Sequence, residues 1–198
     1  MPPISQMCRS VWWAFAAGGV AAIVAAALVV PGIVTAPIGA AGWQTLAGVA
    51  ILVAVLRAPG GAVRAAPFIG AAGAGVVLGV MGLLVPTLEP RISLIGIGIW
   101  GVVAAAGYLA IARFARAFRV PDGGLRTVAW LGLATGIAVS TLPAFGLGAA
   151  TLVQAGAIAA TGAVSILAAT RLRVLPDEAP PAVSHREMLR RERAGPRP

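Results

Sequence analysis

GVVLGVMGLLVPTLEPRISLIGIGIWGVVAAAGYLAIAR, residues 75–113, contains two apolar segments around one short polar turn. The first ends at Pro86, the turn carries Glu89 and Arg91, and the second runs from Ile92 to Arg113. About 20 uncharged, apolar residues are enough for a helix to cross the hydrocarbon core of a bilayer. The stretch therefore predicts a membrane hairpin, with Pro86, Glu89 and Arg91 at one face and Arg113 at the boundary of the other.

The rest of the chain has the same character. Of 198 residues, 59% are hydrophobic and 11% charged, and the mean hydropathy is +0.94. A soluble domain would carry roughly 25% charged residues, so the expected class is a polytopic membrane protein. The formal net charge of +9 would suggest nucleic acid in a soluble protein. Here the basic residues sit at segment ends and in the tail, which points to the lipid bilayer and its anionic headgroups at the inner face, with no nucleic acid. The lone Cys8 has no partner for an internal disulfide.

Six spans are expected, at about 11–30, 37–56, 67–85, 92–112, 125–142 and 147–170, forming an all-α transmembrane domain over 11–171. The first follows Arg9 and opens with Trp12 and Trp13, whose rings suit the headgroup boundary. A cleaved signal peptide competes with this reading, but 20 apolar residues exceed a usual signal core and favour a retained anchor. Pro59, Gly60, Gly61 and Arg64 mark a loop up to Pro67. Arg113, Arg116, Arg119 and Arg126 form a basic connection around the turn Pro121-Asp122-Gly123-Gly124. Between the fifth and sixth spans, Pro143 and Gly146 leave only a tight turn.

Arginine placement gives an orientation. With residues 1–10 cytoplasmic, fourteen of the fifteen arginines fall inside and only Arg91 outside. Positive segments resist translocation, so both termini are expected in the cytoplasm, in a multi-pass protein of the inner (plasma) membrane. The basic tail, 172–198, opens with Pro176, Asp177, Glu178, Pro180 and Pro181. It reads as largely disordered, although Ser184 three residues before Glu187 also permits a short capped helix.

The three hairpins repeat. Pro31, Pro86 and Pro143 each follow an odd-numbered span, and Arg57, Arg113 and Arg171 each close the next, at intervals of 26, 27 and 28 residues. Gly75, Gly79 and Pro86 share their spacing with Gly132, Gly136 and Pro143, whereas the first unit has Val24 at its second glycine position. This order supports an internal triplication. In lipid, small residues permit the close backbone approach that holds helices together. Gly75, Gly79, Gly132 and Gly136, and the ridge Thr151, Ala155, Ala159 and Ala163, are therefore candidate packing seams.

Chemistry-bearing residues are sparse. Apart from Arg126 at the very start of the fifth, no Asp, Glu, His, Lys or Arg lies within a span, where transporters and pumps usually keep one. Gln44, Ser93, Thr135, Ser140, Gln154, Thr161 and Ser165 are the polar residues in or near spans. Such groups usually bond across helices or back to the backbone. His185 is the single histidine and lies in the tail, so neither a metal site nor a catalytic triad can be assembled from it. The glycine-rich stretch at Gly70–Gly75 lacks the strand and lysine of a phosphate loop. No enzyme, cofactor or metal is expected.

Glycine in the first helix, proline at the outer turn, glycine in the second helix (Gly48, Gly101, Gly162) and a closing arginine resemble the HdeD-type acid-resistance membrane proteins. The likeness covers about Val11 to Arg173; the first unit departs from it at Val24, and the basic tail is extra. It implies six spans and a role in acid or envelope stress, and it carries over no catalytic residues. The function expected is a non-enzymatic membrane protein that acts by packing with itself or with another membrane protein. The alternative is a small transporter or channel for a neutral or weakly polar solute.

Overall fold

In lipid, backbone N–H and C=O groups have no water to bond with, and a helix satisfies them within one segment. In the computed structural model, which describes residues 4–58, 62–85, 89–117, 121–122, 124–146 and 150–175, the long apolar runs form six helices. They are α1 Ile4–Val29, α2 Ala36–Arg57, α3 Ala62–Leu84, α4 Pro90–Ala117, α5 Leu125–Thr141 and α6 Thr151–Arg173. A 3-10 turn, Leu142–Phe145, follows α5, and no strand occurs among the described residues. Five helices are long and apolar enough to cross a membrane; in α3 the apolar part, Phe68–Leu84, is shorter, roughly 25 Å of helix.

Several boundaries differ from those expected. Helix α1 begins at Ile4 rather than near Val11, because Met7, Cys8 and Val11 continue the buried stripe of the helix. Residues 4–10 thus belong to the first helix. Helix α3 starts at Ala62, inside the stretch expected to be loop, and runs through Pro67. As the sixth residue of that helix, Pro67 has no N–H to donate to the carbonyl four residues back. Helix α4 continues past Arg113 to Ala117, and α6 begins at Thr151 and ends at Arg173. Gly32 and Gly146 take the left-handed conformation (both φ 76°) just beyond Pro31 and Pro143, reversing the chain after α1 and α5. Of the connection expected to be a tight turn between the fifth and sixth spans, residues 147–149 lie outside the described residues.

The helices close a ring in chain order, each packed on its sequence neighbours, with α1 against α6. Across the middle, α2, α4 and α6 also touch one another, so the second helix of each hairpin lies inside. Burial agrees: 56% of the apolar window is buried in α2, α4 and α6, against 39% in α1 and 28% in α5. Large apolar side chains face outward, including Leu46, Leu56, Val77, Met81, Ile99 and Leu152. An apolar exterior on this scale is a surface for lipid, not water.

The most extensive helix contacts join different hairpins: α2 with α3, α4 with α5, and α6 with α1. Glycines allow them. A Cβ built on Gly48 would lie 2.6 Å from Val76 N and 2.7 Å from Ala72 O, and one on Gly75 would lie 3.0 Å from Gly48 Cα. At Gly79 it would collide with Thr45 Oγ1. In the second seam, a Cβ on Gly136 would meet Gly98 O and Val102 N at 2.8 Å, while one on Gly132 would meet Val164 and Ala105 at 3.2 and 3.3 Å. In the third, a Cβ on Gly19 would lie 2.6 Å from Gly162 O, and one on Gly162 would lie 2.7 Å from Ala22 Cβ. Of the expected alanine ridge on α6, Ala155 is buried but Thr151 and Ala163 are exposed. The buried face of α6 runs instead through Gln154, Ile158, Thr161, Gly162, Ser165 and Ala169.

Candidate functional site

The centre of the bundle is aromatic. Phe15 on α1 meets Phe68 on α3 (ring centroids 5.2 Å apart) and the edge of Tyr108 on α4 (5.3 Å). About two helical turns along α4, Trp100 packs edge-on against Trp43 of α2 at 5.1 Å. The Trp43 indole donates a 2.9 Å hydrogen bond to the Gly18 carbonyl, tying α2 to α1. The Trp100 indole N–H and the Gln44 Nε2 are buried without a hydrogen-bond partner, and the Tyr108 hydroxyl is buried with them, next to Ser165. Neither Trp100 nor Tyr108 stood out in the sequence. The available signal was a polar-tipped aromatic in mid-span, away from the interfaces such residues favour.

The hydroxyls in the helices mostly bond to their own backbone. Thr161 donates to Ala157 O at 2.9 Å and Ser165 to Thr161 O at 3.0 Å, while Thr45 and Ser140 donate to Ala41 O and Ile137 O. Trp100, Tyr108, Thr135, Thr161 and Ser165 line one small cavity, about 10 Å³ in volume. That is close to the lower limit for a single water. The Tyr108 hydroxyl lies beside Ser165 there. Gln44 and Ser93 line a different cavity, about 120 Å³, between α2, α3 and α4. Gln154 is buried on α6 and lines neither. Among the described residues, Gln44, Ser93, Thr135, Thr161 and Ser165 are therefore divided between two separate cavities, with Gln154 in neither.

Charged groups occupy the two ends. Glu89 and Arg91 form a 3.4 Å ion pair, each more than half exposed; Pro86 lies outside the described residues. At the opposite end, Arg113 and Arg116 on α4 and Arg126 on α5 share a cavity of about 110 Å³ with Leu109, Ala112 and Trp130. Arg116 pairs with Asp122 at 3.8 Å, and Arg119 lies outside the described residues. The Asp122 carboxylate also accepts the Gly124 N–H at 3.2 Å, fixing the turn into α5, where Gly124 has φ 82°. Gly123 is not among the described residues. At the same end, Arg173 of α6 stacks over the Trp12 ring of α1 at 4.9 Å. The buried polar side chains among the described residues are Gln44, Ser93, Gln154, Thr161 and Ser165, none of them charged. No group of three potential metal ligands occurs among them. Cys8 is buried and unpaired with another cysteine.

Long apolar helices, a lipid-compatible exterior and charges confined to the ends define a multi-pass helical membrane protein as the class. No family model matches the chain, and no curated protein or solved structure matches it either.

Proposed function

We propose that this chain is a non-catalytic protein of the inner (plasma) membrane that spans the bilayer six times with both termini in the cytoplasm. It acts through helix packing, with itself or with another membrane protein, in acid or envelope stress. The observation that carries this reading is the core: aromatic rings and glycine-seamed backbones fill it, and no buried charge lies there among the described residues. A pump or ion-coupled transporter would be expected to keep an ionisable group at that depth. The stress assignment rests on the HdeD-type resemblance of the three hairpins.

The alternative, a conduit for a small neutral or weakly polar solute, draws on Gln44 and Ser93 beside the 120 Å³ cavity. It is weakened by the separation of that cavity from the Thr135–Ser165 cavity and by the backbone-bonded hydroxyls. Deleting the gene and measuring survival at low pH tests the stress role; reduced survival, restored by the intact gene, is expected, and unchanged survival overturns it. Swelling of protein-containing vesicles in glycerol or urea at the rate of protein-free vesicles is expected. Faster swelling would favour the conduit.

A further inference from the structure

We propose that the groove between the arginine-bearing ends of α4 and α5 is a binding site for one anionic phospholipid, seated by its headgroup phosphate. Leu109, Arg113 and Arg116 follow one another at helical spacing on α4, and Arg126 and Trp130 do so on α5. All five, with Ala112, line the same cavity of about 110 Å³. Arg113 and Arg126 are exposed and have no ion-pair partner among the described residues. Arg116 is held only by the long 3.8 Å contact to Asp122 and is 60% exposed. Three guanidinium groups thus line one opening, with Asp122 the single carboxylate paired with any of them among the described residues.

Geometry and chemistry favour a lipid over a soluble anion. Arginine presents a planar fork that matches phosphate oxygens in a bidentate fashion. The start of α5 adds the positive end of a helix dipole on the same side. Trp130 is 52% exposed, one turn along α5 from Arg126, roughly 6 Å deeper toward the apolar exterior. An indole at that depth suits the boundary between headgroup and acyl chain. Leu109 lies at the corresponding depth on α4, so the groove offers charge at its mouth and apolar surface below it. A free phosphate would use only the first of these.

The site rests on the membrane reading, and the test separates the two. Cell membranes are washed with alkaline carbonate, and the retained protein is purified in detergent. It is then titrated with phosphatidylglycerol or phosphatidylcholine, and the first bound lipid is measured by native mass spectrometry. Preference for phosphatidylglycerol is expected. Arg113→Gln with Arg126→Gln should weaken its binding about 30-fold, the equivalent of about 1 kcal/mol per basic residue near a membrane surface, and leave phosphatidylcholine unchanged. Each single substitution should weaken it about fivefold on the same scale. Arg57→Gln with Arg173→Gln removes equal charge elsewhere at this end and should leave the preference intact.

Equal losses in both double variants would mean diffuse surface charge and overturn the site, as would no loss in either. Displacement of phosphatidylglycerol by millimolar inorganic phosphate would reassign the site to a soluble anion and likewise overturn it. Helical circular dichroism of each variant verifies the fold, and the exposed single variants carry the test should the double variant misfold. A chain stripped from membranes by carbonate would overturn the membrane reading and this site together. A retained chain without phosphatidylglycerol preference would overturn the site alone.

Discussion

Replacing Gly48 by alanine should push α2 and α3 apart. The new methyl would sit 2.6 Å from Val76 N, 2.7 Å from Ala72 O and 2.9 Å from Gly75 C, all backbone atoms that cannot rotate away. Regaining ordinary contact requires a separation of about 0.8 Å, over which neighbouring atom pairs lose a quarter to a half of their attraction. Overpacking of a filled interior costs about 1–3 kcal/mol. Alanine's higher helix propensity returns at most about 1 kcal/mol. The net expectation is a loss of up to about 2 kcal/mol. Gly73→Ala on α3 is the control, because a Cβ there meets nothing within 4 Å; it should be neutral or stabilising by up to about 1 kcal/mol. Unfolding of the purified protein in mixed micelles by added dodecyl sulfate, followed by helical circular dichroism, measures both. Equal effects of the two substitutions would refute the seam at Gly48.

Two further contrasts can be read in the same assay. Trp43→Phe removes a buried indole that donates to Gly18 O, whereas Trp100→Phe removes one with no partner. Both leave a similar void, so Trp43→Phe should be the more destabilising by about 0.5–1.5 kcal/mol, the usual net value of one hydrogen bond; the reverse order would contradict the assigned bond. Glu89→Gln and Arg91→Gln, alone or together, break an ion pair whose side chains are 59% and 58% exposed. They should change stability by less than about 0.5 kcal/mol, since water screens such a pair; a larger loss would place the pair in a less exposed setting.

Much of the architecture was legible because membrane sequences write it in few symbols. Uncharged runs between Arg91 and Arg113, or Pro143 and Arg171, mark helices directly, since lipid permits little other backbone geometry. The ends were less legible: Arg9 and Pro67 looked like boundaries, yet α1 and α3 extend across them. A long arginine can stay on the helix and carry its charge out to the headgroups. The glycines at 75, 79, 132 and 136 were visible as small residues in register, but nothing local says which helix they will meet. That the close contacts run between hairpins, with α2, α4 and α6 innermost, is a long-range property of the ring. The buried polar tips of Trp100 and Tyr108 were hidden for a related reason: only the packed structure shows whether a polar tip reaches a partner. Arg113, Arg116 and Arg126 were recognisable as a basic connection, while their shared groove with Trp130 depends on how α4 and α5 turn toward each other.

The central claim is that this chain crosses a bilayer between Glu89 and Asp122, with the arginine-rich end in the cytoplasm. Between them lies α4, Pro90–Ala117, about 42 Å of helix. Single cysteines placed by Glu89→Cys or Asp122→Cys, with Cys8 replaced by alanine, can be probed in intact cells with a membrane-impermeant maleimide. The account predicts labelling at position 89 without permeabilisation and at position 122 only after it. Labelling of both positions alike would contradict a span between them, and the reversed pattern would contradict the orientation.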